Sequence, residues 1–157
     1  MAKRPVRSAP LFTIGYEQST TRRLLESLEQ AHVDLVIDTR AVAASRRPGF
    51  SKRQLAAALD EQGVGYIHLQ ALGTPKEGRL AARAGKADVM LRIYEKHLAT
   101  LQAKEQLEEL VSLAKSGRRL CLLCYERDPA ICHRQRIAQL VSKRLRIKVE
   151  HLFCAPV

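Results

Sequence analysis

Apolar runs too short for helices alternate along the chain with stretches in which apolar residues return every three or four positions. The short runs are Leu11 to Tyr16, Asp34 to Asp38, Gly65 to Leu69, Leu120 to Cys124 and Ile147 to Phe153. Leu120-Cys121-Leu122-Leu123-Cys124 is continuously apolar, the mark of a strand covered on both faces of a parallel sheet. Helical spacing joins Leu24, Leu25, Leu28 and Ala31, then Leu55 and Leu59, then Met90, Tyr94, Leu98 and Leu101. It returns in Leu107, Leu110, Val111 and Ala114, and in Ile137, Leu140, Val141 and Leu145. Strands alternating with helices, without tight hairpin signals, predict a single α/β domain. Its sheet should be five-stranded and mostly parallel, with right-handed crossovers and helices on both faces.

Terminal signals sharpen several elements. Thr20 or Thr21 can cap the first helix, and Ser51 with Gln54 has the spacing of a capping box, flanked by Phe50 and Leu55 as a hydrophobic staple. Gly63 and Gly117 mark helix ends, and Asp88 is a candidate cap for the helix carrying Met90 and Tyr94. Asp128 followed by Pro129 predicts a helix start directly after the fourth strand. The segment from Ala71 to Lys86 holds Gly73, Thr74-Pro75, Gly78 and Gly85; it reads as a long surface loop with room for a short helix, and such loops are often functional.

A length of 157 residues with 46% apolar content suffices for one core. The reading is therefore a basic N-terminal tail over residues 1–10, with Lys3, Arg4 and Arg7, and a single domain over 11–157. Neither a secretory h-region nor an apolar run of membrane length is present, so a cytoplasmic protein with no membrane partner is expected. Cysteines stand at 121, 124, 132 and 154, and in that compartment reduced thiols are the default.

Charge changes the picture. The net charge is +11, and Lys115 to Lys148 holds ten Lys and Arg against Glu126 and Asp128. A basic stretch of that kind favours phosphate-rich partners, nucleic acid among them, through counterion release. Aromatic content of 4% argues against a base-stacking platform. Glycine-rich phosphate loops of the Walker or dinucleotide type are absent.

Candidate chemistry gathers where strands end, since ligands of open α/β sheets bind at the carboxyl edge. Three turns should converge there: Asp38 with Arg40, Tyr66 to Gly73, and Cys124 to Arg134. Asp38 is an acid/base candidate or half of a structural ion pair. Arg40, Arg46, Arg47 and Arg134 are candidates to clamp phosphate, helped by amides at the helix start after Asp128, with Arg47 better read as solvated surface. Cys121 and Cys124 point to opposite faces of a strand, which makes Cys121 a core residue and a C-x-x-C redox pair improbable. Cys124, Cys132 and His133 are a chemically plausible zinc or iron set, with Asp38, Glu126 or His68 as a fourth ligand, although their spacing matches no standard zinc motif. A cysteine phosphatase or sulfurtransferase would need an arginine six positions after Cys124, where Ala130 stands, and Pro129 lacks an amide for the cradle.

An ordered set of short motifs carries a resemblance. Thr13-Ile14-Gly15-Tyr16, Val36-Ile37-Asp38-Thr39-Arg40, Ser45 to Ser51, Tyr66 to Gly73, Leu123 to Glu126 and Cys132-His133-Arg134 resemble a bacterial and archaeal family catalogued as domain of unknown function 488. The resemblance runs from about residue 11 to 144. It implies an α/β fold and a shared pocket marked by Asp38, Arg40, Ser45, Arg46, Tyr66, His68, Gly73, Cys124, Glu126, Cys132, His133 and Arg134. Thr39 and Tyr125 depart from the family pattern, which commonly has Val and a small residue there. The family brings no settled reaction with it.

These observations together lead to an enzyme acting on a phosphorylated ligand, a nucleotide or nucleic acid. Glu126 and Asp38 would be its acid/base carboxylates, His68 and His133 would orient or relay protons, and Arg40, Arg46 and Arg134 would hold the anion, beside Ser45, Tyr66 and Gly73. Two readings compete: a non-catalytic nucleic-acid-binding module, and a metal-bearing hydrolase or sensor centred on Cys124, Cys132 and His133.

Overall fold

In the computed structural model, which describes residues 9–154, each apolar run of the sequence becomes a strand of one sheet. The strands are β1 (Leu11–Gly15), β2 (Leu35–Asp38), β3 (Gly65–His68), β4 (Leu120–Cys124) and β5 (Val149–Phe153), in the order β3-β2-β4-β1-β5, and every pairing is parallel. Most of the basic tail expected over residues 1–10 lies outside the described residues.

Six helices cover the sheet among the described residues: α1 (Thr21–Gln30), α2 (Lys52–Glu61), α3 (Lys76–Arg83), α4 (Ala87–Leu98), α5 (Leu101–Lys115) and α6 (His133–Leu145). The period-two alternation of the strands splits the core. Leu35, Ile37, Leu120 and Leu122 pack with Ala81, Met90, Tyr94, Leu110, Val111 and Ile137 from α3 to α6. Phe12, Ile14, Val36, Cys121 and Leu123 pack with Leu24, Leu28, Leu55 and Leu59 from α1 and α2. Cys121 thus sits in the core on the α1 and α2 side, with burial pushing its thiol pKa up. No helix among the described residues is long and apolar enough to cross a membrane.

Local expectations are borne out at some helix starts and corrected at others. Thr20 caps α1 by accepting from the Arg23 amide. Ser51 stands at the cap position of α2 but makes no capping bond; its hydroxyl donates to the Ser45 carbonyl and accepts from the Ser45 amide, while Gln54 accepts from the Gly49 amide. The capping box is therefore replaced by a clasp that holds the β2–α2 loop. Phe50 and Leu55 are buried in one cluster, as a staple requires. Asp88 lies in the first turn of α4, and Lys86 occupies the cap position. The Ala71 to Lys86 segment is mostly helical rather than loop: a short 3-10 helix, Gln70–Leu72, leads into α3. Asp128 caps only a 3-10 turn, Pro129–Ile131, and α6 begins at His133 with Cys132 as its cap.

Candidate functional site

Two glycines allow the loops at the carboxyl edge to close up. A Cβ on Gly15 would stand 1.8 Å from the Glu126 carbonyl oxygen, so only glycine lets the loop after β4 pass over the end of β1. The Glu17 amide then donates to Tyr125 O at 2.8 Å, and the Arg127 amide to Glu17 Oε1 at 3.2 Å. Gly73, expected at the ligand, is buried instead: a Cβ there would meet the Ala41 amide nitrogen at 2.2 Å, so its duty is to seat the turn after β3 against the turn after β2.

Asp38 is completely buried at the end of β2. Its Oδ1 accepts from Arg40 Nε at 2.9 Å and from the Arg40 amide at 3.1 Å, its Oδ2 from Arg40 Nη2 at 2.7 Å and from the Tyr66 hydroxyl. Arg40 Nη1 donates to Phe50 O at 2.7 Å and Tyr16 Oη at 3.2 Å. Burial works against the Arg40 charge, but the hydrogen bonds and charge of Asp38 outweigh it and hold Arg40 above its usual value. Burial, followed by the hydrogen bond to Asp38, likewise raises Tyr66. His68 Nε2 lies 2.7 Å from Arg40 O. Asp38, Arg40, Tyr66 and His68 thus form one internally satisfied network that shapes the turn after β2, and Arg40 has little left to offer a ligand.

Arg134 is also fully buried. From the first turn of α6 it donates to Thr13 Oγ1 at 3.2 Å, Cys124 Sγ at 2.9 Å, Arg127 O at 3.1 Å and Glu126 O. Burial lowers its pKa to about 10, with Glu126 opposing the shift, so the guanidinium stays charged at neutral pH. It ties the β4 loop to α6 rather than facing solvent. The amides proposed to assist it are engaged as well: Ala130 N on Asp128 Oδ1, Ile131 N on Asp128 O and Cys132 N on Pro129 O.

A cavity of about 850 Å³ opens beside this network. Of the predicted residues, Glu126, His133, Arg40, Ser45, Arg46 and Cys124 line it, whereas Asp38, His68, Tyr66, Gly73, Arg134 and Cys132 do not. Burial raises the Glu126 pKa above the usual carboxylate range, against its own backbone amide and Arg134; Glu17 adds to the rise and Arg83 opposes it. Burial pushes His133 down to about 4, and its Nε2 donates to Thr39 O at 2.8 Å, which leaves Nδ1 as an acceptor.

Sequence reasoning missed Arg79 and Arg83, which line the same cavity from α3. Arg79 Nη1 donates to Thr74 O at 2.9 Å, and no hydrogen bond or salt bridge among the described residues engages Arg46 or Arg83. Their four-residue spacing puts Arg79 and Arg83 on one helical face, a signal visible only once the segment is read as a helix.

Cys124 and Cys132 are paired as a disulfide, which corrects the expectation of reduced thiols throughout; Cys121 and Cys154 are free and buried. The expected metal set is corrected too. Ligand atoms of Cys124, Glu126 and Cys132 lie within 4.8 Å of one another, with Glu126 in the place expected of His133. With the sulfurs bonded to each other, the grouping is closed to a cation in this state.

Within the basic stretch from Lys115 to Lys148, several charges are engaged inside the protein. Arg134 is internal, Arg119 donates to Ala31 O at 2.9 Å and lies over the Phe12 ring, and Arg136 and Arg144 pair with Glu95 and Glu108. Lys115, Arg118, Lys143, Arg146 and Lys148 remain exposed.

The chain belongs to the family described as domain of unknown function DUF488, whose model matches residues 20–141. No curated protein and no solved structure matches it.

Proposed function

We propose that the chain is an enzyme acting on a small phosphorylated molecule, with Arg46, Arg79 and Arg83 holding the anion and Glu126 as the proton donor. One observation carries this reading: a half-buried carboxyl, held above its usual range by burial, shares a cavity of about 850 Å³ with three arginines that have donors to spare. A raised carboxyl is the state needed to protonate a leaving oxygen near neutral pH. Guanidinium donors left over suit phosphate through bidentate hydrogen bonds. The volume falls within the span of small-molecule sites, roughly 300–1,000 Å³, which favours a nucleotide or other small ligand over nucleic acid. Tyr125, an exposed residue of the cavity lining, offers ring surface there.

In this assignment Asp38 and His68 position the Arg40 turn instead of reacting, and Ser45 holds the loop carrying Arg46. A metal-bearing hydrolase or sensor is the second reading, supported by the closeness of Cys124, Glu126 and Cys132. It requires reduced sulfurs and stoichiometric zinc or iron.

Turnover of a panel of phosphorylated small molecules by parent protein and Glu126→Gln is the decisive experiment. The variant should keep its melting temperature, bind the anion as well or better, and lose roughly 100-fold or more in kcat. Unchanged turnover, or a large fall in melting temperature, removes Glu126 from the chemistry. Salt-dependent retention on duplex DNA without any turnover would return the chain to the binding-module class.

A further inference from the structure

We propose that Cys124 and Cys132 form a thiol–disulfide exchange site at the floor of the arginine-lined cavity, reacting with small anionic disulfides and thiols. Cys124 is the attacking sulfur and Cys132 the resolving one. The site shares the cavity with Glu126 but does not depend on the role given to Glu126 above.

The two sulfurs have different settings. Cys124 ends β4, lines the cavity, and accepts a hydrogen bond from Arg134 Nη1 at 2.9 Å. A buried guanidinium at that distance favours thiolate over thiol, the reactive form in exchange, while Glu126 Oε2, 3.5 Å from the same sulfur, accepts its S–H and works the other way when ionised. Cys132 does not line the cavity. It caps α6, its sulfur accepting from the Arg134 amide at 3.5 Å, and His133 Nδ1 lies 3.7 Å away. Since His133 donates through Nε2 to Thr39 O, Nδ1 can accept the Cys132 S–H in the reduced protein. Arg134 therefore touches both sulfurs, one through its side chain and one through its amide. Cys121 and Cys154 do not line the cavity, and burial pushes both thiols up, outweighing Arg134 at Cys121 and the Ser19 and Ser27 hydrogen bonds and Arg127 charge at Cys154.

A cysteine at the end of a central strand beside an arginine also invites comparison with phosphoryl-transfer cysteines. The loop argues against it, because amides that would cradle a phosphate on Cys124 are already engaged: Arg127 N on Glu17 of the loop after β1, and within the turn Ala130 N and Ile131 N on Asp128 and Cys132 N on Pro129. Exchange at sulfur needs no such cradle. The anionic groups of the reaction partner fall to Arg46, Arg79 and Arg83 at the cavity wall, and the near-complete burial of Cys124 limits access to small reactants.

The step balances as follows. Cys124 thiolate attacks one sulfur of a small disulfide RSSR; the Cys124–sulfur bond forms, the RS–SR bond breaks, and RS⁻ leaves with the electron pair. That RS⁻ takes the Cys132 proton. Cys132 thiolate then attacks Cys124 Sγ, forms the bond seen here, and expels the second RS⁻, which water protonates. Two electrons pass from the protein dithiol to RSSR, giving two RSH, and the reverse sequence reduces the protein.

Full-length protein equilibrated in glutathione buffers of graded ratio, acid-quenched, alkylated and weighed intact will test this. Two alkyl groups, mapped to Cys124 and Cys132, should disappear together in one two-electron transition, and Cys121→Ser with Cys154→Ser should leave it unchanged. Cys132→Ser should accumulate a glutathione adduct on Cys124, at a rate about tenfold or more above any adduct on Cys132 in Cys124→Ser. Independent oxidation of the two thiols, or equal adduct rates in the two variants, overturns the proposal. So does stoichiometric zinc or iron in the reduced parent that Cys132→Ser abolishes.

Discussion

Arg40 lays its guanidinium along the Asp38 carboxylate, Nε to Oδ1 at 2.9 Å and Nη2 to Oδ2 at 2.7 Å, with both side chains buried. Removing one charge from such a pair strands the other out of water, at a cost of roughly 3–5 kcal/mol. Asp38→Asn should therefore lower the melting temperature by about 10 °C for a domain of this size. Arg40→Lys, which keeps the charge but loses the fork, should fall between. A thermal melt of Asp38→Asn within about 2 °C of the parent would show that the pair is not what secures this turn.

Much of this architecture is legible in the sequence because it rests on local patterns. Five short apolar runs can only be strands when helical stretches separate them, and continuous burial of Leu120 to Cys124 marks a parallel centre. What stayed hidden depends on tertiary context. Gly78 reads as a loop residue, yet it lies inside α3 because a Cβ there would meet Thr74 Cγ2 at 2.4 Å, so the glycine serves packing rather than a turn. Taking it as punctuation conceals α3, and with it Arg79 and Arg83. The Cys124 to Arg134 contact is hidden for another reason: the 3-10 turn at Pro129–Ile131 folds ten residues back on themselves, and no spacing rule anticipates that.

Gly15 and Gly63 make a paired prediction. The Gly63 φ of +72° costs an alanine backbone strain, but nothing lies within 4 Å of its would-be Cβ, whereas Gly15 has no room at all against the Glu126 carbonyl. Gly63→Ala should cost about 1 kcal/mol. Gly15→Ala should cost roughly 1–3 kcal/mol or more by overpacking and displace the β4 loop. Chemical denaturation ranks the two, and the assignment fails if Gly15→Ala proves the milder change.

His133 gives the acid limb of stability a definite sign. Burial holds its folded pKa at about 4, below the ordinary histidine value of 6.5, so the unfolded chain binds the extra proton first. This contribution is complete above about pH 6.5 and is lost as pH falls towards 4, up to roughly 3 kcal/mol in all. His133→Gln can keep the donor to Thr39 O without a titrating ring, and should flatten the unfolding free energy between those pH values. An acid limb as steep in the variant as in the parent would place the effect on other groups.

Arg79 and Arg83 decide whether the cavity recognises anions. Both project from one face of α3 onto the cavity that holds Glu126, and Arg83 already opposes the rise of the Glu126 pKa. Replacing them together with Gln keeps polar side chains of similar helix propensity and removes two charges, so pyrophosphate affinity measured by calorimetry should weaken at least about tenfold. The salt dependence should flatten as well, because fewer charges face the ligand. Loss of Arg83 should also raise the Glu126 pKa further, which a carboxyl-resolved NMR titration reads directly. Arg144→Gln, made where an arginine is paired with Glu108 outside the cavity, supplies the comparison for general charge loss. If Arg144→Gln weakens pyrophosphate binding as much as the α3 double variant, or if the double variant leaves affinity unchanged, the cavity arginines are not the anion site.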